Sequence, residues 1–268
     1  DDDRALVFMS NDEGASWKDI GKGLPPEAGT TRVLREDLVN ENVLYLGTEF
    51  GAYVSIDRGA TWTSLKTNLP TVAVHQFAQH PTSGEIVAGT HGRSLWVLDV
   101  TTLRQMTPES LKADSWLFRP NAAVQWRPMP SPGRTRSFVG ENPPSGARIH
   151  YRLAKKASGV TLKILAPDGA EIRELEAKGE PGLHEVVWDL RRKPAPRRRF
   201  GRRVGAGTYR VALTVGDTTI ERPLVVERDP NQPDAGWMSY QDEADEAAAA
   251  KAEDRVKRHL PKHVGRDE

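Results

Sequence analysis

The sequence has no cysteine among its 268 residues, and the motifs of several common enzyme classes are missing as well. Without cysteine there is no disulfide bond, no zinc–thiolate site and no thiol nucleophile. No run of about 18 apolar residues occurs, so no transmembrane helix is predicted. A phosphate-binding loop, a dinucleotide fingerprint, a serine elbow and the kinase motifs are also missing, and nothing indicates those activities.

An excess of charge of one sign is missing too. The sequence has 38 Lys and Arg residues against 37 Asp and Glu residues, for a formal net charge of +1. This balance gives no global electrostatic preference for nucleic acid or for a membrane surface. The sequence also starts at Asp1 with neither an initiator methionine nor a signal-peptide pattern, so we expect a mature or excised piece of a longer protein.

The most informative feature that is present is a repeat. Residues 10–17 return 45 positions later as residues 55–62, with the shared pattern S-x-D-x-G-A-[ST]-W. A degenerate third copy follows, because residues 47–57 align without gaps on residues 89–99 at an offset of 42. Periods of about 40–50 residues with four short strands each are typical of β-propeller blades.

The polar and glycine positions of the repeated motif suit a turn. Its Asp and Ser side chains are placed to bond backbone N–H groups of their own turn, and its Gly permits a positive φ. Its Trp is expected to bury a large apolar area between neighbouring sheets. We therefore predict structural rather than catalytic roles for Ser10, Asp12, Gly14, Trp17, Ser55, Asp57, Gly59 and Trp62.

The motif resembles the Asp-box of BNR-type β-propellers, the family that includes sialidases and sortilin-like proteins. In that family the boxes lie on the rim, away from the active centre. A propeller needs roughly four to eight blades to close. The two motifs and the third hairpin account for about 2–3 blades, so we expect the missing blades to come from the parent chain or from another subunit.

The second half of the sequence has a different pattern. Residues 104–145 are rich in proline and aromatic residues, and we favour a connector strapped along both domains over a free linker. From residue 146 on, six to seven short strands separated by turns predict an Ig-like β-sandwich. The segments 182–190 (GLHEVVWDL) and 205–211 (GAGTYRV) resemble the Ig-like domain of flagellar hook-capping proteins, which recurs at the C-terminus of large exported BNR-repeat proteins.

The predicted fold class is therefore all-β, with a partial β-propeller followed by an Ig-like β-sandwich. The predicted domains are propeller blades over 1–103, the connector over 104–145, the sandwich over 146–228 and a polar tail over 229–268. The tail has few large apolar side chains, so we expect a frayed helix or disorder there.

An arginine-rich segment between two predicted sandwich strands is the strongest local charge feature. It includes Arg197, Arg198, Arg199, Arg202 and Arg203. A solvated loop is the favoured interpretation, and contact with an acidic partner or a polyanionic glycan comes second. Nucleic acid is the least favoured ligand, because a single phenylalanine is the only aromatic residue beside the charge.

The last predicted blade contains three histidines, whose spacing matches no metal-binding pattern. His91 and Arg93 share a glycine-rich turn, and Glu49 holds the equivalent place in the preceding repeat. In the BNR family this hairpin ends near the inner surface of the ring, which makes Glu49, His91 and Arg93 candidate ligand-facing residues. A turn-stabilising role is favoured for the histidines, and we predict no metal and no cofactor.

Catalysis is not predicted for this chain. A glycosidase needs two carboxylates about 5–10 Å apart, and a sialidase needs an arginine cluster with a Tyr–Glu pair; neither set can be assembled here. We expect a non-catalytic binding or scaffold region of an exported bacterial protein that contacts protein or glycan, extracytoplasmic by resemblance alone. The alternatives are a fragment of a sialidase-like glycoside hydrolase with upstream catalytic residues, and a subunit whose partners complete the propeller.

Overall fold

The computed structural model describes residues 4–65, 68–126, 143–197 and 199–231. The chain divides into two compact units, Asp1–Phe118 and Arg119–Glu268. Strands form most of the regular structure in the described parts of both units, which confirms the predicted all-β class. Part of the predicted connector (127–142) and most of the predicted tail (232–268) lie outside the described residues, and the predicted domain boundaries stay predictions.

The first unit is built from short antiparallel sheets. Its helical segments are a 3₁₀ turn at Pro26–Ala28, α1 (Thr101–Arg104) and α2 (Pro108–Lys112). The sheets have the strand orders β1–β2, β3–β4–β5–β6 and β7–β8–β9. The strands of this unit are β1 (Phe8–Met9), β2 (Lys18–Asp19), β3 (Thr31–Glu36), β4 (Leu44–Thr48), β5 (Ala52–Ser55), β6 (Thr63–Ser64), β7 (Val74–Gln79), β8 (Glu85–Thr90), β9 (Leu95–Asp99) and β10 (Ser115–Leu117).

Apolar clusters between successive sheets form the partial β-propeller. One cluster packs Ile20, which follows β2, together with Leu46 and other residues of the middle sheet. A second cluster joins the middle sheet to the β7–β9 sheet, where the rings of Tyr45 and Phe77 lie 6.2 Å apart. Because the middle sheet packs against apolar clusters on both faces, every residue of β4 and β5 is buried.

The gapless alignment of the third repeat on the second is wrong by one residue. Leu46 pairs with Tyr53 across the β4–β5 hairpin, whereas Ala88 pairs with Trp96 across the β8–β9 hairpin. The second of these turns is therefore one residue longer. Since neighbouring residues of a strand face opposite sides, the shift places Trp96 against the apolar cluster and leaves Leu95 exposed.

The two motif tryptophans are not equivalent, which corrects the expectation that both are buried between sheets. Trp62 packs against the first apolar cluster, and its Nε1 donates to the carbonyl of Ile20 at 2.7 Å. Trp17 is 65% exposed. The physical reason is that Trp62 has the β1–β2 hairpin beside it, while the described residues contain no earlier sheet against which Trp17 could pack.

The second unit is the predicted Ig-like β-sandwich. β12 pairs antiparallel with β15, and a separate sheet has the order β11–β17–β16–β13–β14 with β11 parallel to β17. Alternate residues of β12 are buried, as expected for a sheet with one covered face. The strands of this unit are β11 (Ala123–Gln125), β12 (Ala147–Leu153), β13 (Val160–Leu165), β14 (Glu171–Leu175), β15 (Gly182–Trp188), β16 (Gly207–Val215) and β17 (Thr218–Arg228).

Two aromatic side chains from the predicted signature segments meet in the sandwich core. The rings of Trp188 and Tyr209 pack edge to face with centroids 5.7 Å apart, and both residues are fully buried. The Tyr209 hydroxyl donates to the carbonyl of Gly205 at 2.9 Å. This bond to the backbone a few residues upstream is the arrangement called a tyrosine corner in Ig-like folds.

Candidate functional site

The repeated motif forms the same hydrogen-bonded turn in both copies. In the first copy, Asp12 Oδ1 accepts from the Ser16 N–H at 2.9 Å and from the Ser10 hydroxyl at 2.8 Å. Asp12 Oδ2 accepts from the Ser16 hydroxyl at 2.6 Å, and Ser10 Oγ accepts from the Gly14 N–H at 2.8 Å. These bonds, that of the Ser16 hydroxyl foremost, lower the pKa of Asp12.

The second copy repeats this geometry closely. Asp57 Oδ1 accepts from the Thr61 N–H at 2.8 Å and from the Ser55 hydroxyl at 2.7 Å, and its Oδ2 accepts from the Thr61 hydroxyl at 2.6 Å. Burial alone would raise the pKa of Asp57, but the bonds from Thr61 and Ser55 outweigh it and hold the pKa below its usual range. Both carboxylates are therefore ionised acceptors within their own turns.

The candidate ligand-facing residues lie at one end of the second and third sheets. Arg32 occupies a register irregularity near the start of β3, and its guanidinium lies 3.5 Å from the Glu49 carboxylate in the β4–β5 turn. His75 occupies the corresponding irregularity in β7, and its ring lies 5.4 Å from that of His91 in the β8–β9 turn. We call these four residues together with Arg93 the rim cluster.

The structure thus brings Glu49 and His91 into equivalent pairs with partners that the sequence analysis missed. An ion pair in one repeat takes the place of an imidazole pair in the next. A sequence alignment of β3 on β7 at an offset of 43 residues matches Arg32 with His75, so it would have shown that the two positions are equivalent. Arg93 is exposed, and its carbonyl accepts from Trp96 Nε1 at 2.9 Å, so the turn is tied to the strand that follows.

A shallow groove of about 360 Å³ lies near the rim cluster, beside the exposed Phe50 ring. Phe50 directly follows Glu49 in the β4–β5 turn. Burial, and then the charge of Glu27, raise the pKa of Tyr53 in the groove wall. An exposed aromatic face beside charged groups suits contact with a sugar ring or a peptide. The groove is lined by Glu27, Phe50, Gly51, Tyr53, Ser64 and Thr71.

His80 stabilises a turn and does not join the rim cluster. Its Nδ1 accepts from the Ser83 N–H at 3.0 Å, directly after β7. Among the residues that the structure describes, no group of three or more His, Asp or Glu side chains is placed to hold a metal ion. The rim imidazoles therefore have no third ligand of these types within that part of the chain.

A buried ionic network in the first unit was not predicted. Asp37 is held by Arg104 Nε at 2.8 and 3.0 Å, by the Tyr45 hydroxyl at 2.9 Å, and by the N–H groups of Val39 and Asn40. Burial alone would raise the pKa of Asp37, but these donors, Arg104 first, hold it below its usual range. Burial, followed by the charge of Asp37, raises the pKa of Tyr45.

The described residues of the arginine-rich segment form a hydrogen-bonded loop between β15 and β16. The Arg192 N–H donates to the Arg202 carbonyl at 2.9 Å, and Arg191 Nη1 donates to the Gly201 carbonyl at 2.9 Å. Phe200 is 60% exposed, with the guanidinium groups of Arg191 and Arg199 lying 5.7 and 5.2 Å from its ring centre. Arg197, Arg202 and Arg203 lie in the same loop, and Arg198 falls outside the described residues.

Comparisons with known proteins do not identify a family. No model of a known protein family matches the chain, and no curated protein matches it. One solved structure that it matches is the extracellular domain of a protein from B. thetaiotaomicron described as a one-component system, BT4673. The match covers 84% of this chain and 29% of that chain, at 13% sequence identity and a TM-score of 0.29. A likeness this weak assigns neither fold nor function.

None of the helices in the ranges that the structure describes is long and apolar enough to span a bilayer.

Proposed function

We propose that this chain is a non-catalytic binding region of an exported bacterial BNR-repeat protein, and that it contacts a protein or a glycan. One observation carries the proposal: all four carboxylate oxygens of Asp12 and Asp57 accept hydrogen bonds within their own turns. The most conspicuous carboxylates of the repeat therefore build turns, which supports a structural role for them rather than a catalytic one.

The pKa shifts support the same proposal. A general acid at neutral pH needs a carboxyl group whose pKa is raised, usually by an apolar environment. The pKa values of Asp12, Asp37 and Asp57 are lowered instead, so these groups stay ionised at neutral pH. Such carboxylates can accept hydrogen bonds but are poor proton donors.

The rim cluster is the proposed contact surface. His75, His91 and Arg93 are exposed, and they offer hydrogen-bond donors on the sheet next to the one that carries Glu49. The Phe50 ring, which follows Glu49 in the chain, offers an apolar face. Polar groups together with an exposed aromatic ring are typical of surfaces that bind a carbohydrate or a protein loop.

The test compares binding with hydrolysis on the full-length protein. Wild type, His91→Ala/Arg93→Ala and the control Arg35→Gln are applied to a glycan array and used in pull-downs, and each is incubated with fluorogenic glycosides. We expect no glycoside cleavage, and a retained ligand that is lost only with the His91→Ala/Arg93→Ala variant. Cleavage of a glycoside by wild type would overturn the proposal and favour the sialidase-like alternative.

A second candidate function, a subunit in a larger ring, has its own supporting observation. β9 is the last strand of its sheet in the described residues, whereas β5, its counterpart, is flanked by β6. Leu95 and Val97 on one face of β9 are 70% and 64% exposed. An apolar face on an open edge strand suits coverage by a further blade.

Aspartate substitutions on β9 test this second candidate. Leu95→Asp/Val97→Asp should leave the unfolding midpoint of the isolated chain nearly unchanged, because both side chains are already exposed. If blades of a partner subunit cover this face, the same change should destabilise the assembled complex by about 2 kcal/mol or more. Equal tolerance in the isolated chain and in the complex would contradict the candidate.

A further inference from the structure

We propose that the described residues of the loop between β15 and β16, 191–197 and 199–203, form a binding site for an anionic polysaccharide, which they recognise through sulfate or carboxylate groups. The inference deepens the proposed binding function by naming a ligand class, and it rests on that function only in part, because the site lies in the second unit. It depends on the charge, the order and the stacking geometry of the loop.

Net positive charge is concentrated in this loop. Residues 191–203 contain eight Lys and Arg side chains and no Asp or Glu, while the whole sequence has a formal net charge of +1. The rest of the chain is therefore net negative. A positive field confined to one loop favours local capture of a polyanion over general adhesion to it.

The described flanks of the loop are also held in place by hydrogen bonds. Both flanks are held by backbone bonds, from Val204 N–H to the Leu190 carbonyl at 2.9 Å and from Lys193 N–H to the Ile172 carbonyl at 3.1 Å. A Cβ atom at Gly201 would lie 1.8 Å from the Arg192 carbonyl oxygen, so the two sides of the loop approach each other too closely for a side chain there. An ordered loop loses less conformational entropy on binding than a flexible one.

The Phe200 ring lies close to two guanidinium groups, although it stays 60% exposed. Arg191 and Arg199 both lie within cation–π distance of its ring. Arg191 Nη1 already donates to the Gly201 carbonyl, whereas a guanidinium placed over a ring, as that of Arg199 is, can present its N–H edges to an oxyanion. Binding of single-stranded nucleic acid relies on exposed aromatic faces for the bases, and Phe200 is the only aromatic residue of this loop.

The same features disfavour an acidic protein as the ligand. The core of a protein–protein interface is largely apolar, with a few aromatic anchors that are buried on binding. Apart from Phe200, residues 191–203 contain only Arg, Lys, Pro, Ala and Gly. The contacts that this loop offers are predominantly N–H groups for oxyanions, which a sulfated or uronate polysaccharide presents at regular spacing.

Within the described part of the chain, two acidic groups near the loop are engaged at its base or on the neighbouring strands. Asp189 Oδ1 accepts from the Arg191 N–H at 3.2 Å and lies 3.9 Å from Arg173 Nη1, at the base of the loop. Glu171 pairs with Lys163 on the neighbouring strands at 2.8 Å. Arg197 and Arg199 lie further along the loop and are exposed, so they are the residues to substitute.

The test measures binding of dextran sulfate to the full 268-residue chain by titration calorimetry at several salt concentrations. Arg197→Gln/Arg199→Gln is compared with Arg35→Gln/Arg222→Gln, which removes the same charge from two strands outside the loop. We expect the loop variant to bind about tenfold more weakly, with a salt dependence shallower by roughly two ion contacts, and the control to bind like wild type. Urea unfolding of both variants checks that the fold is retained.

Comparison with other polymers tests which class of polyanion the loop binds. Uncharged dextran should not bind, and single-stranded DNA and polyglutamate should bind more weakly than dextran sulfate at equal charge. Equal or tighter binding of DNA or polyglutamate would overturn the inference. An equal loss of affinity in the control variant would also overturn it, and so would a failure of dextran sulfate to bind at about 0.15 M salt. The rim variant His91→Ala/Arg93→Ala should retain dextran sulfate, which separates failure of this inference from failure of the proposed function.

Discussion

The Nε atom of Arg104 donates to both carboxylate oxygens of Asp37, at 2.8 and 3.0 Å. The two residues lie 67 positions apart, one at the end of α1 and the other directly after β3. Both side chains are almost completely buried. The pair therefore links the helix that follows the third sheet to a turn of the second sheet.

Loss of the negative charge in this pair should destabilise the first unit strongly. Asp37→Asn keeps the shape of the side chain but leaves the Arg104 guanidinium buried without a counter-charge. Breaking a buried ion pair in this way costs about 3–5 kcal/mol. The measurement is urea unfolding followed by tryptophan fluorescence at pH 7. The matched control, Glu41→Gln, breaks the exposed pair with Arg58 and should change the unfolding free energy by at most about 0.5 kcal/mol.

The same carboxylate should make stability depend on pH in the acid range. The pKa of Asp37 is lowered in the folded state, against an unfolded value of about 3.9. Its contribution is therefore fully present above pH 5 and is lost as the pH falls below about 4, through the folded pKa. The gap in unfolding free energy between wild type and Asp37→Asn should narrow steadily between pH 5 and pH 2.5. A constant gap over that range would contradict this assignment.

Alanine substitutions at two equivalent glycines distinguish the cost of backbone strain from the cost of a steric clash. Gly14 and Gly59 both have a positive φ, of 92° and 84°, so alanine is strained by about 1 kcal/mol or more at either position. An added Cβ at Gly59 would lie 2.7 Å from Ile20 Cδ1, whereas at Gly14 its first contact would be Trp17 Cζ2 at 3.8 Å. Gly59→Ala should therefore cost about 1–3 kcal/mol more than Gly14→Ala in urea unfolding. Equal costs would show that packing against Ile20 does not matter.

The tyrosine corner should contribute measurably to the second unit. Tyr209→Phe keeps the ring against Trp188 but leaves the Gly205 carbonyl without the buried hydroxyl donor. The expected loss is about 1–2 kcal/mol, seen as a lower midpoint in urea unfolding followed by tryptophan fluorescence. An unchanged midpoint would indicate that water replaces the hydroxyl at no cost.

Features encoded over a few residues could be predicted from the sequence. The turn of the repeated motif is closed by bonds between Asp57 and Thr61, four positions apart, so its pattern is contained within eight consecutive residues. The strands of the sandwich were predictable from alternation for the same reason. The register of the hairpin around Gly92 could not be predicted from the sequence. One extra residue in a turn does not change the hydrophobic pattern of the strands, but it reverses the face that each side chain of the next strand occupies.

The sequence predicted only some of the residues in the candidate sites. Glu49, His91 and Arg93 were found from the repeat, but the partners Arg32 and His75 come from strands more than 15 residues away. The arginine loop was conspicuous in composition. Its favoured interpretation as a solvated loop did not foresee that two guanidinium groups lie within cation–π distance of Phe200, since such contacts depend on the path of the loop.

The sequence alone therefore determined the repeat, the turn chemistry and the all-β class, because each depends on bonds and alternation within a few residues. Only the tertiary structure decided how the copies differ. Trp17 and Trp62 have the same motif position, yet one is 65% exposed and the other donates to Ile20. Burial is a property of the neighbouring sheet, and identical motifs receive different neighbours along the chain.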